Sequence, residues 1–199
     1  MMAIKRLMTM VGVSVALTAF PLALSAATAN QCVCGKPTAA SYTWDFHREA
    51  DNLFEDVHAD AHQIRDHAAR LQSFEDDAGV TWQLHADQLI QLKSEINDMG
   101  QKLCRLETIR RVVAPWQKET IDRIASTAQL LADNTQDAIV YVNAHQEHLL
   151  NPMYRRYADN LYSEASELTR STGDAVEYVK VRGEYQELRS EIGIGGNPS

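Results

Sequence analysis

An all-α fold, arranged as an antiparallel up-down-up-down four-helix bundle, is predicted by three observations. Apolar residues recur at steps of three and four through four successive segments. Glycine and proline are scarce and gather mostly at the chain ends or at the breaks between those segments. The segments are of similar length, each roughly 45 Å at 1.5 Å per residue, and are joined by short turns. Steps of three and four keep one face of a 3.6-residue helix apolar, and short turns between long helices make them antiparallel neighbours.

Residues 1–29 read as a signal peptide. Lys5 and Arg6 precede an apolar run from Leu7 to Leu24, broken at Pro21, and Ala27-Thr28-Ala29 supplies the small-x-small cleavage pattern, leaving Asn30 as the new N-terminus. The run is about long enough to span a bilayer. Gly12, Ser14 and Thr18 dilute it, however, so cleavage is expected, with no stable membrane insertion afterwards. Asn30 and Gln31 before Cys32 do not fit lipidation, and without a twin-arginine pair the general secretory route is expected. These features place the chain in the periplasm or outside the cell, in the style of a bacterial envelope protein. Residues 30–42 lack an apolar period and are expected to form a disordered arm.

The bundle is assigned to residues 43–192. In the first helix Phe46, Ala50, Leu53, Val57, Ile64, Ala68, Leu71 and Phe74 share a face. Thr43 can cap its start, and Asp45 suits the positive helix N-terminus. Residues 75–79 turn the chain. The second helix carries nearly strict heptads through Trp82, His85, Leu89, Leu92, Ile96, Met99, Leu103 and Leu106. Arg110 and Arg111 sit in its last turn, where cations offset the negative dipole end. Pro115 disfavours helix at Ala114 and opens the third helix, expected to run to about Leu149. Asn151-Pro152 starts the fourth, with a seam of Tyr157, Leu161, Leu168, Ala175, Tyr178, Tyr185, Leu188 and Ile192. Gly173 costs about 1 kcal/mol against alanine in a helix interior, so Ser171–Asp174 is the expected kink or break. Residues 193–199 read as a flexible tail, because no strand precedes their glycines and no Gly-Lys-Ser/Thr follows.

The chain carries 19 Lys+Arg against 27 Asp+Glu, a net charge of −8. Loss of Lys5 and Arg6 with the signal makes the mature protein more acidic still. An acidic surface disfavours nucleic acid and anionic membranes as partners. All three cysteines, Cys32, Cys34 and Cys104, lie in the mature part, where export favours disulfides. Cys34 and Cys104 are the disulfide candidates, which leaves one thiol of the Cys-x-Cys pair free. The motif is neither a haem-attachment site nor, alone, a structural zinc site.

His58 and His62 stand four residues apart, a spacing that can chelate a metal, but both are expected to point away from the apolar stripe into solvent. His67, His85 and His145 fall on or beside apolar seams. With turn centres near Ala78 and Ala114, antiparallel register places them within about a turn of one level, roughly 5 Å along the axis. They are expected as partly buried, hydrogen-bonded groups at one end of the core. Glu55 to His58 matches the Glu-x-x-His of di-iron bundles, but no second copy exists. No nucleophile with a base is recognisable, and no cofactor or metal ligand set is assigned.

The function expected is therefore that of an exported, non-enzymatic interaction or scaffold module. Its partner would be an unidentified protein or a second copy of itself. A periplasmic metal-binding or metal-sensing bundle using histidines is the alternative.

Overall fold

A computed structural model describes residues 44–74, 77, 79–147, 149 and 151–192. Among them are four helices and no strand: α1 (Phe46–Ser73), α2 (Trp82–Ile109), α3 (Pro115–Ala144) and α4 (Pro152–Glu191). The assigned signal, arm and tail lie outside the described residues, as does Thr43. The observed cap of α1 is Asp45, whose carboxylate accepts the His47 and Arg48 amides at 3.1 Å each. Pro115 and Pro152 open α3 and α4, where a missing amide hydrogen costs nothing. Asn151 caps α4 by accepting the Met153 amide at 2.9 Å.

Three features differ from the sequence reading. Helix α2 ends at Ile109, so Arg110 is its cap and Arg111 lies beyond it rather than in its last turn. Helix α3 ends at Ala144 rather than near Leu149, because His145 leaves helical geometry and the chain then tucks Leu149 against the core. Helix α4 runs unbroken through Ser171–Asp174, where a kink was expected. Gly173 there is a seat: a Cβ at this position would lie 3.1 Å from Cε1 of His58. Close packing of α1 on α4 offsets what the glycine costs.

Each helix packs against two others, α1 and α3 each lying between α2 and α4. The core is a continuous set of buried side chains from all four helices, with Phe54, Ile64, Leu92, Met99, Ile121, Leu131 and Tyr154 among the largest. In α2 the heptad seam is buried from His85 to Leu106, as its spacing predicts. In α4 the seam is only partly buried. Tyr154, Ala158, Leu161, Ala165, Leu168, Thr172 and Ala175 face the core, but Tyr178, Tyr185, Leu188 and Ile192 are at least half exposed.

Length explains that correction. Helix α4 has 40 residues against 28, 28 and 30 for α1, α2 and α3. Tyr178 already meets Trp116, the second residue of α3, with ring centroids 4.6 Å apart. Counting equal rises from the contact of His58 with Thr172 sets Phe46, the first residue of α1, level with about Glu184. The last turns of α4 therefore run past the starts of both neighbours.

Candidate functional site

Two places on the described structure combine functional side chains with incomplete covering. The first lies where α1 meets α4. His58 and His62 are each half-buried rather than solvated, which corrects the sequence reading. Helix α1 has a neighbour on either flank of its apolar stripe, so residues one step off the stripe are covered too. On the α4 flank, His58 Nδ1 stands 2.8 Å from Thr172 Oγ1. The Thr172 hydroxyl has backbone carbonyls to donate to, Leu168 O at 2.9 Å and Thr169 O at 3.0 Å. Its oxygen thus accepts from Nδ1–H. With the Thr172 hydroxyl donating to a carbonyl, this pairing sets the Nδ1–H tautomer and leaves a lone pair on Nε2.

That lone pair faces His62, with the two Nε2 atoms 3.2 Å apart and the rings edge to face. Burial, then His62, then Arg65 hold the His58 imidazole below its ordinary pKa. On the opposite flank of α1, Lys102 reaches both oxygens of buried Asp60 at 2.7 and 2.6 Å. A buried carboxylate needs such a partner.

The three histidines expected to converge do not form one site. His85 is buried and bonds the Tyr154 hydroxyl at 2.9 Å, between the rings of Phe74 and Tyr154. Burial lowers its pKa. His67 is half-buried and its Nδ1 pairs with Gln88 Oε1 at 3.2 Å. His145 is exposed, stacked on Tyr141 at 4.2 Å, because α3 has ended beneath it. Among the described residues no group of three or more His, Cys, Asp or Glu is placed to hold a metal ion.

The second place is the far end of α4. Tyr178, Val181, Tyr185, Leu188 and Ile192 form an exposed stripe at steps of three and four. Beneath it, the end of the bundle is tightly fastened. Buried Gln117 donates to the His47 carbonyl at 3.0 Å and to Asp51 Oδ1 at 2.7 Å, and accepts the Ala114 amide at 2.9 Å. Arg105 and Trp44 hold Glu49 at 2.6 and 2.5 Å. Burial raises the Glu49 pKa, but those two hydrogen bonds and the Arg105 charge outweigh it and lower it overall. Cys104 is disulfide-bonded. Cys32 and Cys34 lie outside the described residues.

Elsewhere, a pocket of about 110 Å3 between α2 and α3, lined by Lys93, Ile96, Asn97, Ala132, Thr135 and Gln136, is smaller than ordinary ligand sites of about 300–1,000 Å3. Glu164 accepts from Asn134 while its other carboxylate oxygen is buried without a hydrogen-bond partner. Burial raises its pKa against that hydrogen bond. No described helix is long and apolar enough to cross a membrane.

Sequence reasoning missed Thr172, Tyr154, Gln117 and the Asp60–Lys102 pair. Gly173 was the available signal for the first, since a glycine kept inside a helix marks close approach by a neighbour. Comparison with known protein families, with curated proteins and with solved structures finds no match.

Proposed function

We propose that the chain is an exported, non-enzymatic interaction module of the cell envelope, an up-down-up-down bundle that associates with a second copy of itself through the end of α4. The antiparallel arrangement is supported by cross-helix partners whose numbers run in opposite directions. Glu49, Asp60 and His67 meet Arg105, Lys102 and Gln88. His58 and Gln72 meet Thr172 and Asp159. The signal-like N-terminus supports export.

The observation that carries the reading is the exposed stripe with its flanking charges. Taking Tyr178, Tyr185 and Ile192 as heptad position a and Val181 and Leu188 as d, Arg182 and Arg189 occupy e, while Glu177, Glu184 and Glu191 occupy g. In a parallel two-stranded coiled coil, each g residue meets the e residue five positions further along the other strand. Glu177 would then face Arg182, and Glu184 would face Arg189, of the second copy. An antiparallel pairing would set glutamate against glutamate and arginine against arginine. Charge pattern thus favours a parallel pair of α4 ends, continuous with the bundles beneath.

Sedimentation of the untagged chain tests this. A dimer is expected, and Val181→Glu with Leu188→Glu should make it monomeric at unchanged helicity. Glu177→Lys with Glu184→Lys in one chain, and Arg182→Glu with Arg189→Glu in another, should each weaken the dimer alone and restore it when mixed. A wild-type chain that stays monomeric at its highest soluble concentration overturns the self-association.

A further inference from the structure

We propose that His58 and His62 form a chelating site for a borderline divalent transition metal, taking Cu2+ most tightly, with Thr172 as the positioning residue behind it. Three features of the pair carry this, and none depends on self-association. The first is distance. A cation 2.0–2.1 Å from each of two nitrogens 3.2 Å apart subtends about 100° between them, an angle suited to zinc or copper coordination.

The second feature is tautomer. A ligating imidazole needs a free lone pair on the nitrogen that faces the metal and, as a rule, a hydrogen-bond acceptor behind the other nitrogen. His58 has that arrangement already, with Nδ1–H held by Thr172 Oγ1 and Nε2 turned to His62. In the contact as it stands, His62 supplies the hydrogen between the rings. Metal binding requires that His62 carry its hydrogen on Nδ1 instead, or release it if the ring is protonated, and that the two Nε2 lone pairs turn from one another toward a common point.

The third feature is rigidity. Both ligands project from adjacent turns of α1, and the His58 ring rests against Gly173. Little side-chain entropy is lost on binding.

No third side-chain ligand of the usual kind is gathered there among the described residues. The remaining coordination positions thus go to water, as in an exchangeable rather than a closed structural site. Arg65 is the nearby charge that opposes a cation, and it lies 3.5 Å from Asp66, which offsets part of its field. Imidazole ligation with open positions selects along the order Zn2+ below Cu2+.

The test is titration of the untagged chain, its thiol blocked, with Cu2+ and with Zn2+ against a chromophoric chelator. His58→Gln, His62→Gln, Thr172→Val and His67→Gln are compared, each first checked for wild-type helicity. Expected are one equivalent of Cu2+ bound more tightly than Zn2+ and nitrogen couplings from two imidazoles in the electron paramagnetic resonance spectrum. Either ligand variant should weaken binding more than tenfold, Thr172→Val by about 10–100-fold, and His67→Gln not at all. Cu2+ should also raise the wild-type melting temperature and leave those of the ligand variants in place. Binding that is unchanged in both ligand variants places the metal elsewhere and overturns the proposal. So does a wild-type chain that binds no Cu2+, in which case the pair is only a hydrogen bond between neutral rings.

Discussion

Residues 152–175 and 176–192 of the fourth segment carry the same kind of apolar spacing, yet they meet different surroundings. In the first stretch Tyr154, Leu161, Leu168 and Ala175 are buried against α1 and α3. In the second, Val181, Tyr185, Leu188 and Ile192 are more than half exposed. Nothing local distinguishes the two. The difference is what stands opposite, since α1 and α3 begin where the second stretch is already under way. A periodic apolar face is thus a core only where another helix is present to take it, and otherwise it is a surface awaiting a partner.

The sharpest way to break that contrast is to truncate one residue from each stretch. Tyr154→Ala should destabilise by about 3–5 kcal/mol, because it empties a fully buried aromatic site and removes the hydroxyl that pairs with buried His85. Tyr185→Ala should stay within about 0.5 kcal/mol at concentrations where the chain is monomeric, since its ring is exposed. Urea unfolding measures both. Similar losses would mean that the end of α4 is packed like the core.

Cys104, buried in the end of the bundle beneath the exposed stripe, is disulfide-bonded and sharpens the comparison. We propose Cys34 as the partner of Cys104. Cys104→Ser should cost about 2–4 kcal/mol, from the longer reach of the unfolded chain and the disturbance of a buried position. Mass mapping without reduction identifies the partner, and a bond from Cys32 would overturn the Cys34 assignment.

Two histidines of the covered part of the bundle carry a pH dependence near neutrality. His85, held down by burial, and His58, held down by burial and then by His62 and Arg65, have folded-state pKa values below the unfolded value of about 6.5. The unfolded chain therefore binds more protons as pH drops, so their contribution is complete above about pH 6.5 and is lost on acidification toward the folded values. Glu164 and Asp51, raised by burial, act with the opposite sign in the carboxylate range. Urea midpoints at several pH values should fall from about 7 to 5, more steeply for wild type than for His85→Gln. Equal slopes would show that His85 charges freely in the folded chain.

The smallest effect separates two glycines of α4. Gly183→Ala meets nothing within 4 Å and should raise helix stability by about 0.5–1 kcal/mol. Gly173→Ala gains the same propensity but sets a Cβ 3.1 Å from the His58 ring, so its net gain should be smaller. A larger gain at Gly173 would mean that His58 yields freely and the seat is not needed.

Amphipathic period, proline and asparagine punctuation and helix starts are local properties. They made the helical class, the number of described helices and most of the α2 seam legible from the chain alone, because each depends on residues within a turn or two. The end of α3 was less legible, since Leu149 continues an apolar pattern that the backbone abandons in order to reach the core. The sequence could place His58 and His62 one turn apart but not say that α4 would cover His58. It could not assign which of His67, His85 and His145 would turn inward, because that depends on which neighbour closes each flank. The pairings of Thr172 with His58, Lys102 with Asp60 and Gln117 with Asp51 join residues 42 to 114 positions apart. Register across helices decides such contacts, and register is a sum over turn geometry and packing that exists only once the helices have met.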